Sequence, residues 1–467
     1  MPGTRQPNIL LLISDQHRFD WLGTNSNVPV RTPHLDELAE RGVRFTNTVC
    51  PVPTCGPSRA CLASGYEYDR CGVPSNQTSF SPGRSTYYER LRDDAEYHVS
   101  GCGKFDLHKP EYVWGDEGDF LLEEWGFSAG IDSAGKGDAV ISWDDGLEDP
   151  YMTYLDSMGL AQAHVQDLLY ERHRIYADKA YENTSPTPLP HEAYIDNYIG
   201  RNGMHLLDKV PQDRPWHAVV NFAGPHEPMD VSEEMYGWYR DPDVKFPHPT
   251  NPAGDLDEET HQEIRRNYAA MIENIDRWVG RYMEELTSRG ELTNTIVVFT
   301  SDHGEMLGDH GLWQKQHPYQ GSVGIPLIVA GPGIRENYVT DEPTSLLDLH
   351  ATFLDYAGVD PGDVDSRSLR PLLDAETDSH RDAVYAGFQS WRMAFDGRYK
   401  LVTGYDPESP EEAIKSYARR FTSTPTDLST CQHVLFDLER NEREDVSDSH
   451  PEIAARLFET IKHNIGI

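Results

Sequence analysis

Basic residues are scarce in this chain: 41 Lys and Arg stand against 78 Asp and Glu, a formal net charge of −37. The deficit runs along the whole length rather than in a tail, and a surface of that sign repels nucleic acid and anionic membranes alike. It reads as a solvent adaptation of the whole surface, as in proteins from very salty cytoplasm, where salt screens the self-repulsion. Cysteine is sparse too, at positions 50, 55, 61, 71, 102 and 431. With no C-x-x-C pair and no matching histidine pair, neither a zinc site nor a disulfide scaffold fits. The cysteines other than Cys55 are read as small buried apolar residues. Long apolar runs are missing as well. The run from Asn8 to Ile13 is too short for a signal-peptide core and ends at Ser14-Asp15, and no later stretch reaches membrane-spanning length. The expectation is a cytoplasmic protein without a membrane partner.

What is present points to a folded α/β protein. The hydrophobic fraction of 37% is low, but 10% aromatic residues and well-separated apolar runs exclude a disordered chain. Runs at 8–14, 97–100, 217–222 and 295–300 are β-branched or leucine-rich, end in polar residues, and alternate with helical stretches. Helices are expected at 32–41, where Pro33 suits an early helical position, and at 258–286, where Ile264, Tyr268, Met271, Ile272, Ile275, Trp278 and Val279 recur at helical spacing as core residues. The stretch 128–190, weakly periodic and rich in Asp, Gly, Ser and Tyr, is expected as a long excursion over the upper face that shapes a pocket. After a polar segment at 374–381 come short strands at 383–388, 392–395 and 399–402, an acidic loop, a strand at 433–438 and a helix from Pro451. The expected architecture is a large, mostly parallel sheet flanked by helices, residues 1–373, with a small C-terminal α+β subdomain, residues 374–467.

In such sheets ligands bind beyond the carboxyl ends of the strands. Four strand ends therefore bring Asp15, Lys104, His226, Asp302 and His303 to one rim. Asp15, Asp302 and His303, with the amide oxygen of Gln16, suit a hard divalent cation: Ca²⁺, Mg²⁺ or Mn²⁺, the imidazole favouring Mn²⁺ slightly. A single strand-end Asp is ordinarily a helix cap. Recurrence on two strands argues for ligands instead. Cys55-Gly56-Pro57-Ser58-Arg59, followed by Ala60-Cys61-Leu62-Ala63-Ser64-Gly65, opens a helix whose N-terminus favours an anion or a polarised nucleophile.

That segment resembles the sulfatase signature C-x-P-x-R. The likeness continues through Thr32-Pro33-His34-Leu35-Asp36, Gly103-Lys104, Gly224-Pro225-His226, Ser301-Asp302-His303-Gly304-Glu305, Leu307-Gly308-Asp309-His310-Gly311, Ile325-Pro326-Leu327-Ile328-Val329 and Phe436-Asp437-Leu438-Glu439, over most of the chain. The resemblance implies that Cys55 is oxidised to formylglycine by a separate formylglycine-generating enzyme. It assigns Asp15, Asp302, His303 and modified Cys55 to one cation, Ca²⁺ above Mn²⁺ or Mg²⁺, with Gln16 as a further ligand. It sets Arg59 beside the nucleophile, Lys104 and Lys315 on the anionic oxygens of a small sulfate ester, and His226 on the leaving group.

Gln16 departs from the commoner Asp-Asp opening and is similar to the choline sulfatase and phosphonate monoester hydrolase branches, and Asn76, a polar pocket or turn residue, resembles the phosphonate hydrolase branch. Where the family has Lys-x-His, this chain has Lys104-Phe105-Asp106, with either Asp106 or His108 as a substitute for the missing histidine. The rival readings are a phosphonate monoester or phosphodiester hydrolase on the same fold, and a non-catalytic metal-binding protein with unmodified Cys55. Trp238 and Trp391 are marked either as stacking surfaces for a ring or as packing.

Overall fold

Apolar runs that read as continuous rather than alternating belong in strands covered on both faces, and the eight residues of β1 (Asn8–Asp15) are all buried. The structure, a computed structural model, describes residues 6–111, 114 and 115, 121–172, 181–252, 256–406 and 431–466. Beyond β1 the strands are β2 (Gly42–Phe45), β3 (Thr48–Val49), β4 (His98–Gly103), β5 (Ala129–Asp132), β6 (Trp216–Pro225), β7 (Thr295–Ser301), β8 (Leu327–Ala330), β9 (Tyr338–Thr340), β10 (Thr344–Ser345), β11 (Val384–Phe388), β12 (Trp391–Phe395), β13 (Tyr399–Thr403) and β14 (His433–Asp437). An eight-stranded sheet runs in the order β5-β4-β6-β1-β7-β8-β2-β9. The five strands from β5 to β7 are mutually parallel, while β8 runs antiparallel to both β7 and β2.

Helices cover both faces, and β1 shows how. Its Ile9, Leu11 and Ile13 join one core with Val43, Ala60, Leu91 and Phe353, while Leu10 and Leu12 join another with Ile199, Met271, Ile275 and Val279. The expected long helix runs Glu258–Ser288, capped by Asp257, whose side chain accepts the Thr260 N–H at 2.9 Å. Its Met271 and Trp278 are buried core residues. Strands β11 to β14 form a separate antiparallel sheet. Tyr385, Ala394, Leu401 and Leu435 on one face pack against Leu457 and Ile461 of the helix Pro451–Ile465, and the other face joins the main core through Ala386, Met393 and Phe436.

The excursion at 128–190 differs from the expected long loop. It holds helices Lys136–Asp144, Pro150–Ser157 and Ala161–Val165, burying Val140, Tyr151, Met152 and Leu155. Helices this short expose no clean 3.6-residue stripe, because their apolar side chains pack against one another as well as against the sheet. Residues 173–180 of this stretch, and the expected acidic loop at 407–430, lie outside the described residues. All six cysteines are free thiols, five of them buried. Among the described residues, no helix is long and apolar enough to cross a membrane.

Candidate active site at the carboxyl ends of the strands

The sheet delivers its polar groups at the point the topology dictates. Asp15 ends β1, Lys104 follows β4, His226 follows β6, and Asp302 and His303 follow β7. The backbone at these turns is not free to vary. At Gly103 (φ 91°) a Cβ would lie 2.0 Å from the Asn221 carbonyl oxygen, so only glycine lets β4 turn there. Gln16 (φ 68°) and Asp106 (φ 55°) occupy the left-handed region, which costs a non-glycine residue of order 1 kcal/mol and persists where surrounding contacts impose it.

Cys55 is the first residue of the helix Cys55–Ser64, all ten residues of which are buried. The side chain of Thr54 does not cap this helix. Instead the Gly56 N–H donates to Asn76 Oδ1 at 2.9 Å, and Ser58 Oγ donates to the Asp302 carbonyl at 2.7 Å. Asn76 thus orients the start of the nucleophile's helix.

Around Cys55 Sγ stand His303 Nε2 at 3.1 Å, Lys315 Nζ at 3.4 Å, Lys104 Nζ at 3.5 Å and Asp15 Oδ1 at 3.9 Å. Burial and Asp15 push the thiol up, but Lys104, Lys315 and His303 outweigh them and hold it well below the ordinary value. Ligand atoms of Asp15, Cys55, Asp302 and His303 all lie within 4.8 Å of one another, and all four residues are buried. His303 Nδ1 faces the Gly304 carbonyl at 3.0 Å, which leaves Nε2 turned toward Asp15 at 3.8 Å and Asp302 at 3.6 Å. Two carboxylates and an imidazole converging in a buried pocket fit a hard divalent cation. Asp15 is drawn well below the carboxylate range because Lys104, His226, Arg59 and Lys315 outweigh its burial. Asp302 is pushed up by burial and by Asp15, against His303 and Arg59.

Arg59 supports these carboxylates from beneath. Its guanidinium donates to Asp302 at 2.9 Å, Asp15 at 3.2 Å, Asn221 Oδ1 at 2.8 Å and the Lys104 carbonyl at 2.5 Å. Lys104 is ion-paired with Asp15 and with Asp106, the latter at 3.4 Å. Lys315 instead meets neutral groups, Gln16 Oε1 at 2.6 Å and His226 Nε2 at 2.7 Å. His226 Nδ1 donates to the Glu227 carbonyl at 2.7 Å. Burial, Lys315 and Lys104 outweigh Glu227 and Asp15 and lower its pKa.

Glu227, Tyr181 and Lys136 had no place in the sequence reading, and Glu305 entered it only as the end of the motif Ser301-Asp302-His303-Gly304-Glu305. The Gln16 amide nitrogen donates to Glu227 at 2.7 Å and to Glu305, which also accepts from Tyr181 at 2.7 Å. This fixes the amide so that its oxygen faces Lys315. Lys136, from the excursion, donates to the His226 carbonyl at 3.0 Å and pairs with Asp230 at 2.8 Å, pinning the turn that carries His226. The only signals in the sequence were adjacency, Glu227 beside His226 and Glu305 two residues past His303.

His108 pairs with Asp132 at 2.8 Å and stacks on Trp125 at 5.4 Å. Trp391 is fully buried in β12 with its indole N–H on the Gln316 carbonyl, so of its two readings packing holds. Trp238 carries the Arg277 guanidinium on its face at 3.7 Å.

A family model described as Sulfatase matches residues 7–359. An arylsulfatase of Clostridium perfringens is 28% identical over 86% of this chain and 85% of its own length. A choline-sulfatase of Rhizobium meliloti is 28% identical over 87% of this chain and 80% of its own. The crystal structure of the phosphonate monoester hydrolase of Agrobacterium radiobacter superposes with a TM-score of 0.75 over 98% of this chain and 94% of that one, at 22% identity, a likeness of fold.

Proposed function

The chain belongs to the sulfatase family, and from that premise we propose that it hydrolyses sulfate monoesters at residue 55 after oxidation of Cys55 to formylglycine by a separate maturation enzyme. One observation carries this reading. Two lysines, a histidine and an aspartate, from four different turns, converge within 3.9 Å of the same sulfur atom at the first residue of a buried helix.

Asp15, Asp302, His303 and residue 55 would hold a divalent cation, and Gln16 would add its amide oxygen. When bound, the cation would supply Lewis-acid polarisation, and the hydrated aldehyde would supply one hydroxyl that attacks sulfur as the ester S–O bond breaks and a second whose deprotonation expels sulfate and restores the aldehyde. Lys104 and Lys315 bind the non-bridging oxygens and neutralise charge as the sulfuryl group transfers. Arg59 holds Asp15 and Asp302 in place and favours their charged forms against burial. The Lys315–His226 pair holds the proton that the departing alcohol or phenol takes up, with Glu227 and Lys136 fixing the imidazole.

A phosphonate monoester or phosphodiester would meet the same constellation, a second reading favoured by Gln16 and by Asn76 on the Gly56 N–H. Kinetics on paired nitrophenyl sulfate, phenylphosphonate and phosphodiester substrates decide between them. The sulfate ester is expected to have the highest kcat/KM. A preference for phosphorus esters by orders of magnitude would overturn that choice.

A further inference from the structure

The proposed hydrolysis consumes a monoanion and releases a dianion: R–O–SO₃⁻ and water give R–OH, SO₄²⁻ and a proton. A cationic cradle therefore holds its product more tightly than its substrate unless the site also carries a charge that opposes the second one. A carboxylate stands in the cradle. Asp106 Oδ2 lies 3.4 Å from Lys104 Nζ and 3.0 Å from Lys109 Nζ, and Lys104 Nζ is itself 3.5 Å from Cys55 Sγ.

Neither lysine needs Asp106 for charge compensation. Lys104 already pairs with Asp15, and Lys109 pairs with Asp138 at 2.6 Å. Lys104 thus stands between two carboxylates, Asp15 and Asp106, and since Arg59 also pairs with Asp15, Asp106 is the carboxylate that adds negative charge beside the anion-binding ammonium, with Asp138 lying beyond Lys109. Asp106 is also buried and held in the left-handed region, so its position is imposed rather than incidental.

We propose that Asp106 is a specificity-determining residue that makes the site select by charge, admitting monoanionic tetrahedral esters and disfavouring dianions, both the product sulfate and phosphate monoesters. The proposal rests on the sulfate-ester reading of the site. A carboxylate beside Lys104 repels the second charge of a dianion as well as the first, whereas the charge on a bound cation is the same whether Asp106 is present or not and cancels when variants are compared. Asp106 thus aids product release and excludes phosphate monoesters at some cost in ester affinity.

The test is calorimetric titration of the metal-loaded enzyme and of Asp106→Asn with sodium sulfate, a dianion, and sodium methanesulfonate, a monoanion with a similar tetrahedral head and no ester bond to cleave. Asn is close in size and tolerates the left-handed backbone. Asp106→Gly, which suits that backbone still better, is the second variant. Affinity for sulfate relative to methanesulfonate is expected to rise about tenfold or more in both, and phenyl phosphate should gain on phenyl sulfate in kcat/KM. Asp138→Asn, which removes a carboxylate from the far side of Lys109, should leave the affinity ratio near that of the parent. An unchanged ratio in both Asp106 variants, parallel loss of both anions, or a shift as large in Asp138→Asn would overturn the proposal. A parent enzyme inert toward every sulfate ester would sink the reaction scheme while the anion titrations still decide the role of Asp106.

Discussion

Leu12 and Asp15 lie three residues apart on β1 and neither exposes any surface, yet they belong to regions with opposite chemistry. Leu12 sits in the floor, where the sheet packs against the helix Glu258–Ser288, and on the other face of the same sheet, among Tyr87, Tyr88 and Phe353, burial keeps His217 neutral. His217 on β6 is driven down to about 3 by burial, with Ile9 and Tyr87 as its partners. Asp15 sits at the rim, where carboxylates and lysines stay charged because each is ringed by opposite charges. The difference teaches that stability is built in the floor and chemistry at the strand ends. Buried charge is tolerated at the rim because the paired groups are held there for use, and such pairs are weak evidence of stability.

If so, changes at the rim should remove activity and changes in the floor should remove stability, with Lys315 and Lys104 as a graded case. Lys315→Met has the largest expected effect, a fall in kcat/KM of about 10³-fold, because both an anion contact and the proton path are lost. Gln16 and His226, the neutral partners it leaves, should keep the melting temperature within a few degrees of the parent. Lys104→Met should lower kcat/KM by about 10²-fold and also cost about 1–3 kcal/mol in urea unfolding, since Asp15 and Asp106 each lose a cationic partner and keep Arg59 and Lys109 respectively. Equal stability losses in the two variants would break the contrast between them.

Leu12→Ala should do the reverse, losing about 2–5 kcal/mol of stability with kcat/KM per folded molecule unchanged. The smallest effect is a pH slope from the floor. His217 titrates near 3 in the fold and near 6.5 in the unfolded chain, so below 6.5 the unfolded state binds more protons. Its contribution is therefore complete above pH 6.5 and declines by about 1.4 kcal/mol per unit as pH falls toward 3. Urea midpoints at pH 7 and pH 5 should show this slope, and it should shrink in His217→Phe.

The same division explains what the sequence made legible. The central strands were readable because β1, β6 and β7 are buried on both faces and appear as uninterrupted apolar runs ending in Asp15, His226 and Asp302. The short strands β8, β2 and β9 at one side of the sheet, with three or four residues each, carry too little pattern to be separated from loops, so the antiparallel β8 was not placed. The residues contacting Cys55 were legible through motif and strand end together. Their supports were not, because Glu227, Glu305 and Tyr181 meet at Gln16 from widely separated segments, and no local spacing encodes that encounter. Arg59 was placed beside the nucleophile, but its guanidinium is occupied by Asp302, Asp15 and Asn221, a role visible only once β1, β6 and β7 lie side by side.

The most direct test of the central claim is mass spectrometry of the peptide spanning residue 55, from active protein matured in its native host. The expected result is an aldehyde in place of the Cys55 thiol, in a fraction that tracks specific activity across preparations. Fully active protein carrying only the thiol would contradict the account.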